Sequence, residues 1–217
     1  MSRKMNPVGQ EGTLDIFKLD TAPFGTNTYI VICRESDEAV LIDAPGDADA
    51  VKEALDGKTV NYILMTHGHM DHVMALEELA ESLGAPVAAH RGDAGGLPVK
   101  PKRLLEDGDS VECGKGRLDV IHTPGHTPGS LCFRVGKYLL AGDTIFPGGP
   151  GKTATPDDFE EIFASITDKV LALPDETIIL PGHGNSSSLG TERRLIEAFR
   201  ARRQKGRHCG DVLWAEE

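Results

Sequence analysis

The sequence predicts a layered α/β domain, two central sheets with helices outside them. Three observations predict it. Short runs rich in Val, Ile and Leu recur from residue 14 to residue 180, and several are apolar without interruption, as strands buried on both faces are. Segments with apolar residues at helical spacing lie between those runs. No linker is long enough to divide the 217 residues, so one domain over 1–217 is expected, with a core at 14–190 and a C-terminal helix and polar tail at 191–217.

The elements follow in chain order. Residues 14–19, 28–33 and 39–43 read as strands, the last two joined by a polar turn and the third ending at Asp43 before an Ala-Pro-Gly breaker. Residues 47–56 read as a helix with Val51, Ala54 and Leu55 on one face. A buried strand is expected at 60–65, a polar, His-dense loop at 66–72, and a helix at 73–83 that Gly84 stops. A small strand at 86–89 precedes a helical turn or loop at 90–97. Residues 103–109 and 110–113 together suggest one strand before a Gly-Lys-Gly turn. Three strands follow at 118–122, 130–135 and 138–141, with Gly136-Lys137 as a two-residue hairpin turn. Residues 147–151 form a Gly/Pro-rich loop. A helix at 156–171 has Thr155 as N-cap and Asp157 and Asp158 in its first turn. A strand at 177–180 and a helix at 191–203 complete the pattern.

Composition narrows the function. A net charge of −11, from 34 acidic and 23 basic residues, repels phosphate backbones and anionic lipid surfaces. Nucleic acid and membrane are therefore not expected as partners; a small-molecule substrate is. No run of about 18 apolar residues exists to span a bilayer. Residues 1–10 lack the apolar stretch of a secretory signal. Four scattered cysteines, Cys33, Cys113, Cys132 and Cys209, form no CxxC pair and read as reduced thiols of a cytoplasmic protein.

Thr66-His67-Gly68-His69-Met70-Asp71-His72 is the most informative stretch. It holds three of the eight histidines and follows an apolar run. Imidazole nitrogen and carboxylate oxygen are the donors that zinc and similar borderline cations take. An irregular loop can aim His67 and His69 one way, and Asp71 and His72 at a second point, which suits two metals about 3.5–4 Å apart. Three further candidates stand at strand ends, each preceded by glycine: His126, Asp143 and His183. Glycine permits close approach to a site. One such residue means little, but three beside the first cluster point to a shared metal centre. His90, His122 and His208 lack this context, and Ser186-Ser187-Ser188 reads as a polar loop.

The segment from Thr66 to His72 resembles the HxHxDH signature of the metallo-β-lactamase superfamily, and His126, Asp143 and His183 resemble its later ligands in order and context. The resemblance spans roughly residues 24–183 and implies a four-layer αββα sandwich. It implies that His67, His69 and His126 hold a first metal, that Asp71, His72 and His183 hold a second, and that Asp143 bridges them. The two divalent ions would be zinc, with iron and manganese as alternatives. They would lower the pKa of a shared water, and the hydroxide would attack an ester, thioester or amide carbonyl. Asp71 and Asp143 are the catalytic candidates, Asp71 also orienting the water. Asp43 resembles a strand-end aspartate that orients a ligand histidine; a plain turn role is its alternative.

Asp143 stands where the commonest zinc β-lactamases carry cysteine. That departure, and the segments Phe24-Gly25-Thr26-Asn27-Thr28-Tyr29 and Gly142-Asp143-Thr144-Ile145-Phe146, make the chain similar to the small glyoxalase II-like, or hydroxyacylglutathione hydrolase-like, branch. Full-length glyoxalase II adds a helical C-terminal domain for glutathione; 34 residues follow His183 here, and the glutathione contacts of that domain are not carried over. Lys152, Arg193, Arg194, Arg200, Arg202 and Arg203 could meet an anionic substrate or form a solvated face. Competing expectations are a lactonase or broad esterase on the same site, and a mononuclear-iron persulfide dioxygenase using His67, His126 and Asp143. A nuclease is disfavoured by acidity, and a non-catalytic module by the two open ligand clusters.

Overall fold

In the computed structural model, which describes residues 6–215, the apolar runs of the first half pair into a seven-stranded sheet. Its strands lie in chain order: β1 (Gly9–Glu11), β2 (Leu14–Thr21), β3 (Thr26–Cys33), β4 (Glu38–Ile42), β5 (Thr59–Leu64), β6 (Val87–His90) and β7 (Arg103–Leu105). Pairing is antiparallel from β1 to β4 and parallel from β4 to β7. Parallel neighbours need a crossover connection. Helices supply it: α1 (Ala48–Ala54), then α2 (Met70–Val73) with α3 (Leu76–Leu83), then α4 (Arg91–Ala94).

The second half forms a six-stranded sheet from β8 (Ser110–Cys113), β9 (Gly116–His122), β10 (Leu131–Val135) and β11 (Tyr138–Gly142), extended beyond a separate small hairpin of β12 (Ile145–Phe146) and β13 (Gly149–Pro150) by β14 (Ile178–Pro181) and β15 (Ser187–Ser188). The spatial order is β15-β14-β11-β10-β9-β8, with β11 and β14 parallel. Two helices, α5 (Pro156–Ser165) and α6 (Leu189–Arg202), cover its outer face.

Side-chain alternation makes the layers. Tyr29, Val31, Val40 and Ile42 of the first sheet meet Leu131, Phe133, Val135 and Leu140 of the second in the central core. Their sequence neighbours Ile30, Ala39 and Leu41 face outward to Leu76 and Leu79 of α3. Cys132, Leu139 and Ala141 likewise face outward to Phe159, Ile162 and Phe199. Both faces of the central strands are buried, which is why they read as unbroken apolar runs. This is the expected αββα sandwich.

Local expectations hold where the chemistry was specific. Thr155 caps α5 in a full capping box with Asp158, Gly84 ends α3 at φ 61°, and Gly136-Lys137 turns β10 into β11. Others are corrected. The helix expected at 73–83 starts at Met70 and breaks at Met74–Ala75, because the Ala75 amide leaves the helix for the Ala44 carbonyl at 2.8 Å. Residues 103–113 are two strands in different sheets, separated by a turn at Asp107–Asp109 where Gly108 takes φ 82°. The 145–151 segment contains the β12–β13 hairpin, and Ser187–Ser188 pairs with β14 where a polar loop was expected. The chain after α6 is more than a polar tail: Thr153 and Gly210 form a bridge, and Trp214 is fully buried against Phe163 and Phe199. No helix among the described residues is long and apolar enough to cross a membrane.

Candidate metal centre

Each candidate ligand lies beyond the C-terminal end of a packed strand. β5 ends in the segment that carries His67, His69, Asp71 and His72. Asp143 follows β11, His183 follows β14, and His126 lies in the loop after β9. The two sheets are tied together here, since the Leu131 amide donates to the Thr66 carbonyl at 2.8 Å.

All seven side chains converge. His67, His69 and His126 form one group, and Asp71, His72 and His183 another, with ligand atoms within 4.8 Å of one another in each. A third grouping of His67, His72 and Asp143 joins them. Asp143 reaches both sides: Oδ1 lies 3.3 Å from His72 Nε2, and Oδ2 lies 3.7 Å from Nε2 of both His126 and His183. Nε2 of His67 and His126 are 3.3 Å apart, and His183 Nε2 is 3.1 Å from Asp71 Oδ2. Two donors each about 2.0–2.1 Å from one tetrahedral ion sit about 3.3 Å apart. His72 Nε2 and Asp143 Oδ1 are also buried without a hydrogen-bond partner. Orphaned buried polar atoms at ligand spacing fit cations placed between them.

The imidazoles are held in the tautomer that ligation needs. His126 Nδ1 donates to the Lys152 carbonyl at 2.7 Å. His72 Nδ1 meets Asp43 Oδ2 at 2.8 Å. Thr66 Oγ1 donates to Asp43 Oδ2 at 2.7 Å, so it accepts from His67 Nδ1 at 3.0 Å. All three Nε2 atoms are thereby left as donors to a cation. Asp43 also takes the Thr66 amide at 2.7 Å, so the orienting role prevails over a plain turn. It does so at φ 60°, a left-handed backbone that, glycine aside, aspartate and asparagine adopt most readily.

Electrostatics favour positive charge at the centre. Burial and the surrounding imidazoles hold His67 far below the usual histidine range, so its ring is neutral, the form a cation would need. Burial also lowers His126. Burial opposes a charge on His72, but Asp43 and Asp143 outweigh it and raise its pKa to about 10. A proton on His72 Nε2 occupies the place a cation would take. Asp143 is raised by burial and lowered further by His72, His126 and His183, so it stays ionised.

The glycines before the ligands make room. A Cβ on Gly182 would lie 2.2 Å from Asp143 Oδ1 and 2.8 Å from His72 Cε1. One on Gly142, at φ 48°, would lie 2.6 Å from Thr66 Cβ, and one on Gly125 would strike the Ile162 backbone at 2.2 Å.

Sequence reasoning missed Asp93. Its Oδ2 accepts from the Gly68 amide at 2.8 Å and Thr127 Oγ1 at 2.7 Å, and its Oδ1 from the Gly129 amide at 2.8 Å. It thus ties the His67–His69 loop to the His126 loop; an aspartate in an undecided turn carried no signal of this. The α6 arginines resolve mostly toward structure. Arg193 binds Asp175 and the Leu171 and Leu173 carbonyls, Arg203 pairs with Glu160, and Arg202 bonds the Trp214 carbonyl. Lys152 pairs at the surface with Asp211 at 3.5 Å. His90 and His122 stack on each other at 3.8 Å between ring centroids, and His208 packs on Phe159 and Phe199, so none of the three joins the cluster.

Known proteins resemble this chain in sequence and fold. Residues 21–183 match the family model of the metallo-beta-lactamase superfamily. The hydroxyacylglutathione hydrolase GloC of Haemophilus influenzae is 30% identical over 187 residues, 76% of this chain and 88% of that protein. The solved structure of TTHA1623 in a di-iron-bound form is 33% identical with a TM-score of 0.71, covering 82% of this chain and 97% of its own. That of ETHE1 from Myxococcus xanthus is 29% identical with a TM-score of 0.71, covering 82% and 81%.

Proposed function

This chain belongs to the metallo-β-lactamase superfamily, and on that premise we propose that it is a binuclear metal-dependent hydrolase of small thioesters or esters, glyoxalase II-like in its chemistry. The observation that carries the reading is the double ligand set: two groups of three donors with Asp143 reaching both. His67, His69 and His126 would hold one ion, Asp71, His72 and His183 the other, and Asp143 would bridge. Zinc suits these nitrogen and oxygen donors, and iron or manganese suit them as well. Bound there, two divalent cations supply Lewis acidity for a carbonyl and bring the pKa of water toward neutrality.

The chain's own residues do the rest. Asp43, Thr66 and the Lys152 carbonyl fix the imidazoles of His72, His67 and His126. Asp71, partly exposed at the open face, would accept a hydrogen bond from the attacking water and so orient it. Buried His67 and His72 close the floor, so water and substrate enter past the exposed His69 and the half-exposed His183. No serine or cysteine nucleophile is needed. The acidic net charge supports a small-molecule substrate over a nucleic acid, and the free cysteines support a cytoplasmic setting.

Likeness to a hydroxyacylglutathione hydrolase favours a thioester over a lactone or simple ester. Elemental analysis with a panel of thioesters, lactones and β-lactams tests this. Two ions per chain with preferred thioester cleavage is the expected result. A second reading rests on His67, His126 and Asp143, which by themselves make a two-histidine, one-carboxylate set suited to a single iron and an oxygenase. One iron per chain with oxygen uptake on a persulfide, and no hydrolysis, would replace the first reading by this one.

A further inference from the structure

A largely apolar groove lies along the segment that carries His69. Gly68 and Met70, the two chain neighbours of exposed His69, form its near end, and Val73, Met74, Glu77 and Pro98 continue it through about 480 Å³. Met70 is 73% exposed and Met74 50% exposed, among the few large apolar side chains left open to solvent in the described chain. Methionine is unbranched and polarizable, so a pair of them adapts to hydrocarbon of varied shape. Glu77 is the one ionisable side chain along the groove.

We infer that this groove is the acyl-chain subsite, so that the substrates are thioesters or esters of medium-length hydrocarbon acyl groups, larger than a hydroxypropanoyl unit. The inference rests on the hydrolase reading above for the bond that is cleaved, but not for the groove's affinity. Gly68 and Met70, which flank His69 in the chain, set the groove next to the segment that carries four of the proposed ligands. Its charge selects the acyl half of the substrate: thiol carriers such as glutathione are anionic, and Glu77 repels them, whereas a hydrocarbon chain meets Met70, Val73, Met74 and Pro98.

The test uses the metal-loaded full chain and straight-chain carboxylates from acetate to octanoate, with calorimetry as readout. The carboxylate binds the metals and the tail reports the groove, without any turnover. Affinity should rise roughly threefold per added methylene, slightly less than full burial of a CH2 gives. In Met74→Glu, which sets a second carboxylate beside Glu77 and leaves every proposed ligand in place, acetate should bind as before and the rise with chain length should vanish. A flat series in the parent protein, an equal slope in the variant, or no carboxylate binding overturns the subsite. An acyl series of thioesters on one neutral thiol separates the two claims. No hydrolysis with the carboxylate slope intact removes the hydrolase reading alone, and hydrolysis indifferent to chain length with a flat carboxylate series removes the groove alone.

Discussion

Oδ2 of Asp43 lies 2.8 Å from Nδ1 of His72, and both side chains are almost wholly buried. The same carboxylate takes the Thr66 amide and hydroxyl. One residue at a strand end thus orients His72 directly and His67 through Thr66. Asp43→Asn keeps a side chain that tolerates the left-handed backbone and removes the charge. Metal affinity should fall about 10–100-fold, as when other buried partners of ligand histidines are lost. Competition with a chelator measures it, and unchanged affinity would contradict the orienting role.

Gly182 is expected to matter through contact alone. A Cβ there would sit 2.2 Å from Asp143 Oδ1, the atom that faces His72. Gly182→Ala should therefore displace Asp143 or His72 and lower metal content toward one ion or none, while circular dichroism still shows the native fold. A fully metallated Gly182→Ala protein would show that the bridging position has slack this geometry does not reveal.

These two predictions concern residues whose importance was unequally visible in the sequence. The candidate ligands were legible because histidine and aspartate after apolar strands have few structural uses, and because glycine stood before each of the three later ones. The layers were legible because Val, Ile and Leu runs buried on both faces leave no polar gaps. What escaped were features set by distant partners. Asp93 looks like any loop aspartate until Gly68, Thr127 and Gly129 close around it. The break between α2 and α3 is imposed by Ala44, thirty-odd residues earlier, and no local propensity signals it. The strand expected across 103–113 divided because its two parts serve different sheets, a choice made by pairing and not by composition.

His90 gives the pH dependence. Burial lowers its pKa from 6.5, and the stacked His122 ring lowers it further. The folded state therefore prefers neutral His90, and the unfolded chain binds the extra proton first. This contribution to stability is complete above pH 6.5 and is lost as pH falls toward the lowered folded value. His90→Asn retains a helix-capping side chain for α4, whose Gly92 amide His90 now accepts at 3.1 Å. Urea midpoints at pH 7.5 and 5.5 should differ more in the parent than in the variant. Equal differences would mean the stack is silent.

The last prediction follows from how His126 is held. Its Nδ1 rests on the Lys152 carbonyl, two residues beyond the β12–β13 hairpin. That hairpin is clamped from two sides. Buried Glu192 of α6 accepts the Gly148 amide at 2.9 Å, and the Trp214 amide donates to the Gly148 carbonyl at 2.7 Å. The folded-back C-terminal segment thereby reaches the metal centre without touching a ligand. Trp214→Ala empties a fully buried site and should cost about 3–5 kcal/mol of stability; Glu192→Gln is the gentler probe, keeping the volume and weakening the clamp. In both, the ion of the His67, His69 and His126 group should be lost first, so that dialysis against chelator leaves about one ion where the parent keeps two. Equal retention in parent and Glu192→Gln would mean that β12–β13 keeps its place without the clamp, and that His126 is oriented by its own loop alone.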